Sequence, residues 1–222
     1  MKLSGLKIFL LLFILLPFLP VVFVDAQSKY PHTISALQER YREEVHAVHR
    51  YMACAQQALS DDYPHIAYLF TALAASESIH ARNFKKLLSD LGVDVEEIPE
   101  PEFKVSSTRE NLNFAATVEI VEINRIYPRL IEGMKPEEYE AAIQDITYAW
   151  KAEEQHHNLM EKVLSGTGVF FGLLAKKIEM TDIHVFVCQR CGSTLTELPR
   201  DMCPICKGPV ALYKEMEMIK ER

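Results

Sequence analysis

Between Thr33 and Ser165 apolar side chains recur every three to four positions, the period of helices with one buried face, and the repeat is broken at three places. Ser60-Asp61-Asp62-Tyr63-Pro64 is a short turn. Gly92 to Ser107, with Pro99 and Pro101, is a longer connection, and Gly133 to Pro136 is a second short turn. The pattern predicts four helices, near residues 33–59, 62–91, 108–132 and 136–164. Ser107 followed by Glu110 spells a capping box at the start of the third, and Pro136 with Glu137 and Glu138 supplies an acidic first turn to the fourth. At 1.5 Å per residue, each helix forms one side of a bundle about 40 Å tall.

Each apolar stripe carries a carboxylate at its centre. Glu44 lies among Leu37, Tyr41, Ala47, Val48, Tyr51 and Ala55, and Glu77 among Ile66, Phe70, Leu73, Ala74, Phe84 and Leu88, with His80 one turn on. Glu119 sits between Leu112, Ala115, Ala116, Ile123, Ile126 and Leu130, with Glu122 a turn later. Glu153 sits between Ala142, Ile146, Ala149, Trp150, Met160 and Leu164, flanked by His156 and His157. One glutamate on such a face ordinarily snorkels out or pairs with a neighbour. Four in one core cost several kcal/mol each unless cations compensate, and the basic side chains on these faces are too few. Glutamate and histidine at helical spacing are the ligands of a dinuclear metal site inside a bundle.

These residues also share a depth. Glu44 and Glu77 are centred on the Ser60–Pro64 turn, and Glu119 and Glu153 on Pro136, so each antiparallel pair meets about 23 Å from its turn, near mid-bundle. The two halves repeat each other, each with a Glu-x-x-His pair (Glu77 with His80, Glu153 with His156) on its second helix. The middle connection is long enough to run the height of the bundle, and depth alone leaves open the end from which the third helix starts.

Beyond the helices two further segments carry information. Lys2 and Lys7 precede an apolar run from Ile8 to Val24 that ends at Val24-Asp25-Ala26, the layout of a signal peptide over residues 1–26, with an N-terminal membrane anchor as the alternative. The expected location is therefore outside the cytoplasm, periplasmic or membrane-anchored. Near the other end, Cys188-Gln-Arg-Cys191 and Cys203-Pro-Ile-Cys206 form two CxxC knuckles of a four-thiolate metal site, holding iron as an electron carrier or zinc as a structural ion. Two disulfides are the alternative. Of the 5 cysteines this leaves Cys54, at a stripe edge, as a packing thiol. The balance of 24 basic against 31 acidic residues, without a basic block, argues against a nucleic-acid binder.

With these motifs in view, the chain resembles the rubrerythrins, ferritin-like di-iron bundles followed by a rubredoxin-like domain. The matching stretches are Glu44-Val-His-Ala47-Val-His-Arg50-Tyr51, Glu77-Ser-Ile-His80-Ala81, Glu119-Ile-Val-Glu122 with Tyr127-Pro128, and Ala152-Glu153-Glu-Gln-His156. The resemblance spans about residues 33–218 and implies a mainly α protein: a ferritin-like four-helix domain over 30–166, a linker over 167–182, and a small rubredoxin-like or zinc-ribbon β module over 183–218. It implies a di-iron centre with Glu77 and Glu153 bridging, Glu44 and Glu119 terminal, His156 on the second iron, and one iron exchanging Glu122 for His80 with redox state. The preference for His156 over His157 rests on the family. A further iron, with zinc as the alternative, is expected on Cys188, Cys191, Cys203 and Cys206.

The activity so implied is that of a non-haem di-iron peroxidase. A diferrous pair reduces hydrogen peroxide to water and is re-reduced through the four-cysteine iron, by a donor the sequence does not name. Glu122 and His80 are the expected catalytic ligands. Tyr51 and Tyr127, close to the inward stripes, are positioned to donate hydrogen bonds to ligand carboxylates, with plain core packing as the alternative. The family's head-to-tail pairing implies a homodimer in which one subunit's thiolate iron approaches the other's dinuclear centre. After Cys191-Gly192 stand Ser193 and Thr194, where rubredoxins often place an aromatic residue. The competing functions are a ferritin-like iron-binding or ferroxidase protein with a structural zinc ribbon, and an exported adaptor built on a scaffold bundle.

Overall fold

The structure, a computed structural model, describes residues 29–165 and 183–219. The segment expected to direct export lies outside the described residues, as does the 167–182 linker; among the described residues no helix is long and apolar enough to cross a membrane.

Helices α1 (Pro31–Ser60) and α2 (Pro64–Asp90) form a hairpin packed along its length. Proline opens both, supplying the helical φ where no backbone donor is needed. Helix α2 ends where Gly92 takes φ 70° and the Val93 amide turns back onto the Leu88 carbonyl at 2.9 Å. Helix α3 (Thr108–Val121) starts on the expected Ser107 and Glu110 capping box. Its first residue is also held by the α1–α2 turn, the Asp61 carboxylate accepting from the Thr108 amide at 2.9 Å and hydroxyl at 2.6 Å. The middle connection therefore climbs the whole bundle, and α3 begins beside the α1–α2 turn.

Two elements differ from the periodic pattern. The third helix is interrupted: a π turn over Glu122–Ile126 separates α3 from α4 (Tyr127–Met134). The wider turn changes the direction of Glu122 relative to Glu119, a shift that a uniform 100° step misses. The fourth helix, α5, spans Glu140–Ser165 and starts later than expected. Lys135–Glu137 is a 3-10 turn and Glu138 is left-handed at φ 53°. Glu137 serves another helix instead: its carboxylate accepts from the His32 and Thr33 amides at 2.7 and 2.8 Å, capping the N-terminus of α1.

Two clusters of buried apolar side chains fill the inside of the bundle. Tyr51, Ala55, Phe70, Leu73, Leu112, Met160 and their neighbours fill the end beside the α1–α2 turn; Leu37, Phe84, Leu88, Tyr127, Met134 and Ile146 fill the other. Between them lies a layer of buried Glu44, Glu77, Glu119 and Glu153. The C-terminal module is a three-stranded antiparallel sheet in the order β2 (Thr194–Leu195), β1 (Phe186–Cys188), β3 (Tyr213–Glu215), with Phe186 opposite Leu195 and Glu215. It rests on α2 through Val185 and Val187 against Tyr68, Ala72 and Ile79.

Candidate metal centre

The four-helix layer resolves into two sets of ligand atoms, each lying within 4.8 Å of one another. One set is Glu44, Glu77, His80 and Glu153; the other is Glu77, Glu119, Glu153 and His156. Glu77 and Glu153 belong to both and so stand between two ion positions, with Glu44 and His80 on one side and Glu119 and His156 on the other. His80 Nδ1 lies 2.9 Å from Glu77 Oε2, and His156 Nδ1 lies 2.8 Å from Glu153 Oε2 and 3.2 Å from Glu77 Oε1. His157 turns away, its Nδ1 3.1 Å from the Ala116 carbonyl. Glu122 belongs to neither set; its Oε1 accepts from Arg40 Nη1 at 2.8 Å.

The residues present fit two cations. Buried Glu119 Oε2 has no hydrogen-bond partner, and Glu77 Oε1, with His156 Nδ1 at 3.2 Å, makes no well-aligned hydrogen bond; such carboxylate oxygens are costly unless a cation sits there. Burial pushes the Glu44 carboxyl up to about 8, with Arg40 opposing, and holds Glu119 well above the usual range, reinforced by the charges of Glu153 and Glu77. Burial acts to raise Glu153 as well, but His156 beside it wins and its carboxyl is lowered. For the histidines burial favours the neutral form, yet the carboxylates outweigh it, raising His80 to about 9 and His156 to about 10.

Metal must displace the imidazole protons, so anaerobic loading with ferrous ion at pH 7 releases at least two protons per chain, measured by calorimetry in buffers of different ionisation enthalpy. Release near zero contradicts the assignment. Since both values lie above the ordinary 6.5, the ion pairs contribute their full stability to the metal-free fold below that pH and lose it as pH rises through about 9 to 10.

Both expected tyrosines touch ligand carboxylates. The Tyr51 hydroxyl donates to Glu119 Oε1 at 2.5 Å, and the Tyr127 hydroxyl lies 3.2 Å from Glu44 Oε1 and 3.1 Å from Glu153 Oε1. Burial raises both phenols well above their ordinary value, so each keeps its proton for donation. Cys54 is a buried free thiol, raised to about 12 by burial.

The other four cysteines are buried, free and clustered. Cys188 Sγ lies 3.8 Å from Cys206 Sγ and Cys191 Sγ lies 3.6 Å from Cys203 Sγ. Disulfide sulfurs sit about 2.05 Å apart, whereas a tetrahedral ion with bonds of about 2.3 Å spaces its thiolates by about 3.8 Å. The Tyr213 hydroxyl donates to Cys203 Sγ at 3.3 Å.

Sequence reasoning missed how the two sites meet. His80 Nε2 is 3.2 Å from the Cys191 carbonyl, and His156 Nε2 is 3.2 Å from Thr194 Oγ1. Each imidazole thus offers Nδ1 to the dinuclear layer and Nε2 to the cysteine module, an arrangement that fixes ring orientation. Ser76 donates to the Gly192 carbonyl at 2.7 Å, and Gln155 Oε1 accepts from the Thr194 amide and Ser193 hydroxyl, both at 3.0 Å. Ser193 and Thr194, which replace the expected aromatic, are therefore docking residues. Within the described chain these contacts seat the module on its own bundle.

Four helices that converge on two ligand sets sharing a pair of glutamates, with a four-thiolate module seated on their histidines, define a ferritin-like dinuclear carboxylate protein carrying a rubredoxin-like domain. A family model described as Rubrerythrin matches residues 35–164. Rubrerythrin-2 of Clostridium acetobutylicum is 30% identical over 175 residues, covering 78% of this chain and 91% of that one. Nigerythrin of Nitratidesulfovibrio vulgaris is 28% identical over 186 residues, covering 83% and 87%. A solved structure of nigerythrin in a mixed-valence state has a TM-score of 0.70 at 27% identity, covering 82% and 86%. A Desulfovibrio desulfuricans bacterioferritin shares the fold at 20% identity and a TM-score of 0.64, covering 70% and 91%. The chain belongs to the rubrerythrin family. Its ligand sets match a di-iron centre and a rubredoxin-like site, which makes it an iron-binding oxidoreductase.

Proposed function

We propose that the chain is a peroxidase that reduces hydrogen peroxide to two waters at the dinuclear centre, with electrons arriving through the four-cysteine site. The observation that carries this reading is the seating of the cysteine module on both ligand histidines, which an iron store or a scaffold has no use for. When bound, the two irons supply the electron pair that breaks the O–O bond. Solved relatives described as fully reduced, partially reduced and mixed-valence nigerythrin give the same fold more than one oxidation state, as this activity needs.

The chain's own residues do the rest. Glu44, Glu77, Glu119 and Glu153 offset cationic charge without a net burial cost, and the apolar clusters above and below keep water from the layer. Tyr51 and Tyr127 hold protons at their hydroxyls against Glu119, Glu44 and Glu153. Cys191 belongs to the thiolate set and its carbonyl meets His80 Nε2, so a path of bonds and one hydrogen bond joins the two metal sites. A thiolate iron, not zinc, is required at its far end.

The same reading includes a homodimer and an extracytoplasmic location set by residues 1–26. At about 3.3 Å per residue the 166–182 connection is long enough for a module to dock on its own bundle or head to tail on a partner's. The test is anaerobic expression with metal analysis, then peroxide turnover with an artificial donor. Iron in both sites and sustained peroxide loss is the expected result; zinc on the cysteines with no peroxide loss contradicts it and favours the ferroxidase alternative.

A further inference from the structure

Arg40 is the one cation sealed into the carboxylate layer of the described bundle that is not a ligand histidine. It stands one helical turn before Glu44 on α1, and its side chain is 2% exposed. Its guanidinium is shared: Nη2 and Nε donate to Glu44 Oε1 at 3.0 and 3.3 Å, and Nη1 donates to Glu122 Oε1 at 2.8 Å, while Cζ lies 4.9 Å from the Tyr127 ring centroid. A guanidinium locked by two carboxylates and a ring has one orientation to offer.

Glu122 is the layer's spare carboxylate. It opens the π turn, its side chain is 17% exposed, and it lies outside both ligand sets although His80 lies inside one. An outer cleft lined by Glu39, Arg40, Glu43, Val121 and Glu122 opens to solvent on one side. On the inner side a small cavity shares Arg40, Glu43 and Glu122 with that cleft and reaches Glu44, Glu77, Glu119 and Glu153. The Arg40 and Glu122 pair therefore stands between the surface and the metal layer, with Glu122 near enough for its charge to act on Glu119.

We propose that Arg40 is a positioning residue that holds Glu122 off the metals, so that the guanidinium decides whether the ion beside Glu44 and His80 carries a further carboxylate. Arg40 in place favours the arrangement seen, with His80 facing the layer and Glu122 drawn off it, over the one in which Glu122 has exchanged for His80. Without it, Glu122 loses its ion-pair partner and turns to the nearest remaining cation, a bound metal. An added anionic ligand stabilises the more highly charged oxidised metal, so Arg40 raises the reduction potential of the dinuclear centre by keeping Glu122 away.

The inference rests on the two-iron reading of the site, and its test separates the two. Full-length wild type, Arg40→Met, Arg40→Lys, Glu122→Gln and the Arg40→Met, Glu122→Gln double variant are loaded with ferrous ion and titrated for metal content and potential. A wild type that fails to bind two ions in the bundle refutes the two-iron reading itself. Given that binding, Arg40→Met shifts the redox equilibrium toward the oxidised form at least tenfold, a fall of about 59 mV for a one-electron step. Arg40→Lys, which keeps the charge but not the fork, shifts it in the same direction by less. Removing Arg40 from the Glu122→Gln background produces less than half that shift. Cobalt-loaded Arg40→Met also gains the absorption change of a higher coordination number. An equal shift in the Glu122→Gln background means that Arg40 acts by charge alone and overturns the proposal; so does an unchanged potential in Arg40→Met or, if that variant loses its metals, in Arg40→Lys.

Discussion

Glu77→Ala is expected to cost the chain both ions of its centre, not one. Glu77 belongs to both ligand sets, with one oxygen beside His80 and the other beside His156, so its removal takes a ligand from each position at once. Loss of an outer-shell partner alone costs about 10- to 100-fold in metal affinity, so losing a shared ligand exceeds about 100-fold at both positions. The metal-free fold is weakened as well, because Glu77 faces both His80 and His156 and its loss leaves two buried imidazoles short of a partner, so each variant is read against its own metal-free form. What disappears is the metal's stabilisation of the native state, about 2.7 kcal/mol at a metal concentration 100 times Kd. Thermal unfolding with and without ferrous ion reads this directly. The midpoint rise on loading vanishes in Glu77→Ala and survives in part in Glu44→Ala, which touches one set only. A Glu77→Ala chain that retains both ions sinks the shared-ligand assignment.

Gly192→Ala has the second large effect, and it acts without removing a ligand. Gly192 holds φ 75°, a conformation that costs other residues about 1 kcal/mol. A Cβ there would lie 2.5 Å from Ser76 Oγ and closer still to His80 Nε2. Neither neighbour has room to give, since Ser76 bonds the Gly192 carbonyl and the His80 ring is held between Glu77 and Cys191. The methyl group therefore lifts the cysteine module off the histidines. Displacements of about 1 Å in a site that depends on contact cost on the order of 100-fold in rate, and electron passage from the thiolate iron slows by that order. The thiolate iron's own spectrum stays as in wild type, because all four cysteines remain. Stopped-flow re-reduction of the dinuclear centre at the wild-type rate would show that the Cys191 and His80 contact carries no electrons.

The parts of this protein legible in its sequence are those with a period. Four helices, the mid-bundle depth of Glu44, Glu77, Glu119 and Glu153, and the two CxxC knuckles all follow from spacing, because burial on a helix face and four-thiolate ligation each impose a repeat. Local departures from that repeat were not visible. The π turn at Glu122 leaves no mark in a 3.6-residue pattern, yet it decides where that side chain points. Glu137 reads as a helix-start residue, but it caps a different helix, a choice made by tertiary packing. The docking contacts of Ser76, Gln155, Ser193 and Thr194 join segments more than 30 residues apart and have no period at all. Arg40 did carry a signal, a lone cation four positions before Glu44 on the buried stripe, and a charge in that place needs partners as much as the carboxylates do.

We propose that peroxide is reduced at the dinuclear centre and that the four-cysteine iron feeds it. The most direct measurement mixes the fully reduced, iron-loaded chain with excess hydrogen peroxide without oxygen or mediators, following both metal sites by their absorption. Peroxide is expected to be consumed as the dinuclear centre oxidises, and the thiolate iron then oxidises at a rate set by its contact with His80. A thiolate iron that stays reduced while the dinuclear centre turns over, or peroxide that is not consumed, contradicts it.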